Sequence, residues 1–350
     1  MSPRSVRTVC ICYPQIPFFQ GGTELLCAAL CDELRARGYE ATLVSMPFRW
    51  YPKDEIGKSC LAWRMLDLSE SNGKKIDLVI GTKFPSYVVN HERKVTWLVH
   101  QFRQVYDLLG TEFSEFRCCA EDQPIREMIV RIDRRTLLES RRIFTISRNV
   151  EQRLRRFLGI EGTTLHPPPR GRDRFRSGEF GSYVLAVGRL EVTKRLAPLV
   201  EAMRFTDPEL HCVLVGRGPE EATLRSLAER AGVADRVQFR PEVDLDELVR
   251  LYSGCLAVYF APFDEDYGLV AVEAFLSHKP VITAPDSGGP LEFVEDDVTG
   301  IVVEPRAAEI GERIRRLHAD RRGAEALGHA GFERVKHIEW DPVIDALLSA

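Results

Sequence analysis

Short, continuous apolar runs alternate with longer helical patterns along the whole chain, and this alternation constrains the fold more than any other feature. In the first half the runs are TVCIC, ATLVS, IDLVI, KVTWLV and RIFTIS; in the second they are SYVLAVG, HCVLVG, RVQF, CLAVYF, KPVITA and GIVVE. Unbroken Val/Ile/Leu runs suit parallel strands covered on both faces, because a strand with one wet face alternates apolar and polar residues instead. The helical stretches between them supply the crossovers that parallel strands require, so the pattern predicts βαβ units and an α/β class. Residues 23–38 form one such helix, with Leu25, Leu26, Leu30 and Leu34 read as its apolar side.

The series breaks once, at HPPPRGRDRFRSGEFGS, where three prolines precede a charged, glycine-containing stretch of linker character. A chain of 350 residues holds two domains at roughly 100–200 residues each. We therefore expect two doubly wound domains, residues 1–167 and 168–337, with a last helix over residues 338–350. Such folds bind ligands beyond the carboxyl ends of their strands, which puts the expected site in a cleft between the two.

Composition excludes several classes. A net charge of -4 is unlike the strongly basic balance of nucleic-acid-binding domains. No apolar stretch approaches the ~18 residues of a membrane-spanning helix, and the first residues read as a strand rather than a leader peptide. The nine cysteines lack zinc-type spacing with histidine. They read as buried free thiols in a reducing, cytoplasmic setting.

Two segments carry chemistry. VGRLEVTKR follows a strand directly and places Arg189 and Lys194 where a ligand sits. A guanidinium fork and an ammonium point charge suit a pyrophosphate, although two solvated surface charges give the same pattern. In FAPFDEDYGLVAVEAFLSHKPVITAPDSGGPLEFV the chain turns through acidic residues and Gly268 into a helix. Were the span from Glu265 to Glu273 wholly helical, these carboxylates would stand ~12 Å apart along the axis. That exceeds the about 5–5.5 Å of a retaining glycosidase pair. They fit two parts of one elongated ligand, accepting hydrogen bonds from hydroxyls, while amides over residues 266–269 face a phosphate or sugar. The bland alternative is a pair of acids near a helix start. No carboxylate-rich magnesium cluster and no Ser-His-Asp or Cys-His set is evident, so neither metal nor cofactor is expected.

Taken together these motifs resemble the GT-B glycosyltransferases known as group 1 or family 4. Glu265-Asp-Tyr-Gly-Leu-Val-Ala-Val-Glu273 matches the family's E-x7-E hallmark. Lys279-Pro-Val-Ile-Thr and Ser287-Gly-Gly-Pro-Leu-Glu292 match its following strand and loop. Gly188-Arg189 with Lys194, Val215-Gly216-Arg-Gly218-Pro219, Gly21-Gly22-Thr-Glu and His100 match further positions in order. The resemblance implies a retaining transferase that moves a hexosyl group from a nucleotide-diphosphate sugar to a glycan, lipid-linked or small-molecule acceptor. It implies that Arg189 and Lys194 hold the diphosphate, Glu265 the sugar and Glu273 the ribose. Gly21, Gly22, Gly216, Tyr267, Gly268 and Leu269 would line the donor, and His100 would touch its sugar. It also implies that the last helix returns to the first domain.

The chain departs from the family where Lys-Gly is replaced by Lys194-Arg195 and where Pro241 stands in the turn near the base. The Lys-Arg and Glu-Asp-aromatic-Gly variants are similar to those of some GDP-mannose users; otherwise a UDP-sugar is expected. A sugar-nucleotide epimerase of the same fold and a non-catalytic binding module remain alternatives. So does an NAD-dependent oxidoreductase, although Glu221 takes the place of the third fingerprint glycine after Gly216 and Gly218. The acceptor is expected on first-domain loops such as YPQIPFFQ and HQFRQVYDLLGTEF. Residues 126–176 are arginine-rich, with apolar Ile129, Val130, Ile132, Leu137 and Leu138 at helical spacing. This is either a solvated helix face or a peripheral contact with anionic membrane. Trp63, Trp97 and Trp340 read as core.

Overall fold

The computed structural model describes residues 6–18 and 21–350, so Phe19 and Gln20 of the expected acceptor segment YPQIPFFQ lie outside the described residues. The chain forms two compact units: Met1–Arg170 with Glu339–Ala350, and Gly171–Ile338.

The first unit is built on strands β1 (Thr8–Gln15), β2 (Glu40–Pro47), β3 (Leu78–Gly81), β4 (Lys94–Leu98), β5 (Arg142–Thr145) and β6 (Thr163–Thr164). Their order is β2-β1-β3-β4-β5-β6, parallel throughout. Each of the five apolar runs becomes a strand; the central ones are covered on both faces, with Ile11, Leu78, Ile80 and Trp97 fully buried, while edge strand β2 stays mostly exposed or half-buried. Helices α1 (Gly22–Ala36), α2 (Glu55–Met65), α3 (Gln123–Leu138) and α4 (Arg148–Leu158) connect them, with α11 (Trp340–Leu348) at the end of the chain. Trp340 packs edge-on against Trp97, with ring centroids 6.4 Å apart, and Trp97 Nε1 donates to Leu165 O at 3.0 Å. Trp63 is buried as well.

Two polar clusters lie inside this unit. Lys94 is fully buried, and its ammonium donates to the carbonyls of Tyr87, Val89 and Thr136 at 2.7–3.1 Å. Burial lowers its pKa to about 8. Asp133 on α3 accepts from the hydroxyls of Tyr87 (2.8 Å) and Tyr106 (2.7 Å). Burial pushes its carboxyl up to about 7, against the pull of those two bonds.

Two expectations are corrected. Leu25 is exposed: Leu26, Cys27, Leu30, Cys31 and Leu34 form the buried stripe of α1, and Leu25 lies about 100° round the helix from Leu26. The cysteines are all free thiols, but Cys118 is exposed and Cys119 half-exposed. On α3, Ile129 and Leu137 face the core, whereas Leu138 is exposed alongside Arg131, Arg134 and Arg135.

The second unit has strands β7 (Tyr183–Val187), β8 (His211–Val215), β9 (Val237–Arg240), β10 (Ala257–Tyr259), β11 (Val281–Thr283) and β12 (Gly300–Val302). They are ordered β9-β8-β7-β10-β11-β12, all parallel. The helices are α5 (Ala197–Ala202), α6 (Glu221–Arg230), α7 (Leu245–Gly254), α8 (Leu269–Leu276), α9 (Ala307–Ala319) and α10 (Arg321–Val335). The chain winds outward from β7 to β9, then returns to the other side of β7 as β10. The loops after β7 and β10 therefore emerge side by side at the carboxyl ends of neighbouring strands, at the point where the strand order reverses. The same reversal occurs in the first unit between β1 and β3. Among the described residues no helix is long and apolar enough to cross a membrane.

Candidate functional site

In the second unit the expected residues gather at the topological switch point. Gly188 and Arg189 follow β7, and Lys194 ends a single 3-10 turn, Val192–Lys194. Glu265 lies in the loop after β10. Lys194 Nζ donates to Glu265 Oε2 at 2.5 Å, and it stands 5.6 Å from the centre of the Phe260 ring. Both side chains keep about a quarter of their surface in water (21% and 26%), so the pair is open to a ligand. Arg189 pairs with Glu191 and stays 41% exposed.

Backbone bonds hold these loops together. Phe263 N donates to Thr193 O at 2.8 Å, Asp264 N to Asp286 O at 2.9 Å, Glu265 N to Ser287 O at 2.8 Å, and Gly289 N to Glu265 O at 2.8 Å. Glu265 is thus in an extended segment bridged to Gly288, and α8 starts only at Leu269. The ~12 Å helical separation from Glu273 does not apply. Only Glu273 is helical; it accepts from the Tyr252 hydroxyl at 2.7 Å, and burial pushes its carboxyl up to about 7.

Two glycines have clear physical reasons. Gly268 turns the chain into α8 at φ 100°, a left-handed conformation, and a Cβ there would lie 2.9 Å from Pro290 Cγ. Gly216 after β8 has φ 135°, and a Cβ there would lie 2.0 Å from Gly188 O, so only glycine lets these two loops touch. Tyr267 is buried edge-on against Phe293. Leu269 is the first residue of α8, where free amides point outward.

In the first unit Gly21 caps α1, and Gly22 opens it with nothing within 4 Å of a Cβ. His100 follows β4, with Nδ1 2.6 Å from Gln101 O. Sequence reading passed over Lys83, which follows β3 at this unit's switch point. Lys83 Nζ is 3.2 Å from Glu24 Oε1, and the other oxygen of Glu24 accepts from Gly21 N at 2.9 Å. It also passed over the role of Arg195 and Asp286, which are 91 residues apart yet joined. Nothing local in the sequence signals either contact.

The described residues contain one group with metal-ligand spacing, Asp207, Glu209 and His318. It lies before β8, at the amino end of the sheet rather than with the loops above. What the switch-point arrangement can do chemically is bind an anion with a partly shielded ammonium, beside a carboxylate able to accept from hydroxyls.

Comparison with known proteins gives the same direction. Residues 171–334 match the family model described as glycosyl transferases group 1. The chain is 30% identical over 209 residues to the D-inositol 3-phosphate glycosyltransferase of Thermobifida fusca, covering 55% of this chain and 48% of that one. It is 36% identical over 201 residues to the GDP-mannose-dependent alpha-(1-6)-phosphatidylinositol monomannoside mannosyltransferase of Mycobacterium tuberculosis, covering 52% and 51%. The chain spans about half the length of these curated relatives. In fold it is similar to sucrose-phosphate synthase from Thermosynechococcus elongatus (TM-score 0.74, 21% identity, 96% of each chain). It is similar also to Anabaena HepE solved with UDP and glucose (TM-score 0.73, 17% identity, 98% and 100%). The two parallel-sheet units are those of the GT-B fold. Residues 171–334, most of the second unit, are thus similar to the glycosyl transferases group 1.

Proposed function

We propose that the protein is a retaining glycosyltransferase that moves a hexosyl group from a nucleotide-diphosphate sugar to a glycan, lipid-linked or small-molecule acceptor. The observation that carries this reading is the Lys194–Glu265 pair across the switch point. An ammonium has three donors, so Lys194 can share itself between Glu265 and a phosphate oxygen. As the sugar–oxygen bond breaks, negative charge grows on the diphosphate and positive charge on the sugar. Lys194, Arg189 and the amides at the start of α8 stabilise the first, and the Glu265 carboxylate holds sugar hydroxyls beside the second. Glu273 would hold the ribose, and His100 with the backbone at Gly21 and Gly22 would meet the sugar. No metal is assigned a role, since these cations already supply the countercharge.

GDP-mannose is our favoured donor. The support is the mannosyltransferase relative, named as GDP-mannose-dependent, together with the Lys194-Arg195 variant. Thermal stabilisation by GDP-mannose, UDP-glucose and ADP-glucose tests it, since a ligand that binds only the folded state raises stability by mass action. GDP-mannose should give the largest shift, and the transferred sugar should keep its anomeric configuration. A larger shift with UDP-glucose overturns the base assignment, and stabilisation by NADH alone favours the oxidoreductase. Conversion of the donor without acceptor favours the epimerase. We also propose peripheral contact of α3 with anionic lipid, supported by a groove that Arg126, Arg131, Arg134, Arg135, Val130 and Leu138 line.

A further inference from the structure

Arg195 stands in a place that favours glycine. Its φ is 49°, in the left-handed region, which side chains with a Cβ avoid. An arginine kept there must be held by what its side chain does. Nε donates to Ala261 O at 3.0 Å, Nη2 to Pro262 O at 2.6 Å, and both terminal nitrogens to Asp286, at 3.0 and 2.6 Å. The guanidinium carbon lies 5.7 Å from the centre of the Phe263 ring. The Arg195 carbonyl accepts from the buried Tyr259 hydroxyl at 3.0 Å. One side chain, itself only 17% exposed, therefore joins the loops after β7, β10 and β11. Those loops carry Lys194, Glu265 and the glycines at 288 and 289.

We propose that Arg195 is a positioning residue, which fixes Lys194 against Glu265 by clamping the carbonyls of Ala261 and Pro262 and the carboxylate of Asp286. It touches no reacting atom. A bidentate guanidinium–carboxylate pair fixes orientation as well as distance, which a lysine cannot reproduce. Reacting groups displaced by as little as about 1 Å lose on the order of 100-fold in rate, so loosening the clamp acts on turnover before it acts on binding.

The inference rests on the functional reading above, and the test separates the two. Transfer and donor hydrolysis are measured with GDP-mannose and UDP-glucose for the intact protein and for R195G, R195K, D286N, D286A and R195G/D286A, with melting temperature and donor Kd for each. R195G relieves the backbone and removes the clamp. We expect its kcat to fall about 10- to 100-fold while donor Kd stays within about threefold. R195K should recover only part of that loss, and R195G/D286A should be no slower than R195G, because both changes break one link. If R195G does not fold, R195K and D286N carry the test, each expected to lower kcat with Kd unchanged. Unchanged kcat in R195G, or in both R195K and D286N, overturns the positioning role. So do additive losses in the double variant. A parent protein that neither binds nor turns over any nucleotide sugar overturns the functional reading instead.

Discussion

Replacing Lys194 with alanine separates what this residue does for folding from what it does for transfer. In the free protein its ammonium sits 2.5 Å from Glu265, with 21% and 26% of the two side chains exposed. Partly solvated ion pairs of this kind contribute about 1 kcal/mol or less to stability. K194A should therefore lower the melting temperature by only about 2–4 °C. In the transition state of the proposed transfer the same ammonium would meet charge that develops on the leaving diphosphate. Removing one preorganised donor from such charge costs about 2.7–4 kcal/mol, or 10²–10³ in kcat. The kinetic effect should thus exceed the folding effect severalfold. Steady-state transfer from GDP-mannose gives the first quantity. Calorimetry gives the second, since all four tryptophans, Trp50, Trp63, Trp97 and Trp340, lie in the other unit. K194R should recover little, because a planar fork does not replace a point charge paired with Glu265. A kcat within threefold of the parent refutes the assignment, as does a loss of activity that tracks a melting shift above about 10 °C.

Four further outcomes are expected. G216A should destabilise the second unit by about 3 kcal/mol or more, seen as a melting shift of at least about 6 °C by calorimetry, because the new Cβ meets Gly188 O at 2.0 Å. E273Q should weaken donor binding by roughly ten- to 100-fold in titration calorimetry if Glu273 holds the ribose through charged hydrogen bonds; an unchanged Kd removes that role. Asp133 keeps in the folded state a proton that the unfolded chain releases, its carboxyl being pushed up to about 7. Stability of the first unit should therefore fall as pH rises from about 4 to 7, by up to about 4 kcal/mol. D133N should flatten that slope in denaturant unfolding followed by tryptophan fluorescence; a slope equal to the parent's removes the assignment. If α3 meets anionic lipid, R131E/R134E/R135E should abolish partitioning onto phosphatidylserine vesicles at low salt, each arginine contributing about 1 kcal/mol; no partitioning by the parent refutes the contact.

The twelve-stranded division into two sheets was largely legible beforehand, because each apolar run is long enough to be a buried strand and too short to be a helix. The runs TVCIC, KVTWLV, SYVLAVG and CLAVYF fall on β1, β4, β7 and β10. Leu25 was misplaced because its side of α1 is decided by what packs there, not by its apolarity. The turn at Gly268 into α8 was legible as well, since Gly268 takes a left-handed conformation just before the helix starts at Leu269.

By itself the sequence determined which segments are strands and helices, which loops carry Arg189, Lys194 and Glu265, and which helix carries Glu273. Local periodicity and motif spacing contain that information, since strand, turn and glycine conformations depend on near neighbours. Tertiary structure alone decided which loops meet. The strand order β9-β8-β7-β10-β11-β12 sets Lys194 beside Glu265, 71 residues away, and Arg195 beside Asp286, 91 residues away. Those pairings arise from the winding reversal at β7, and no spacing along the chain encodes the distance between two loops that it brings side by side.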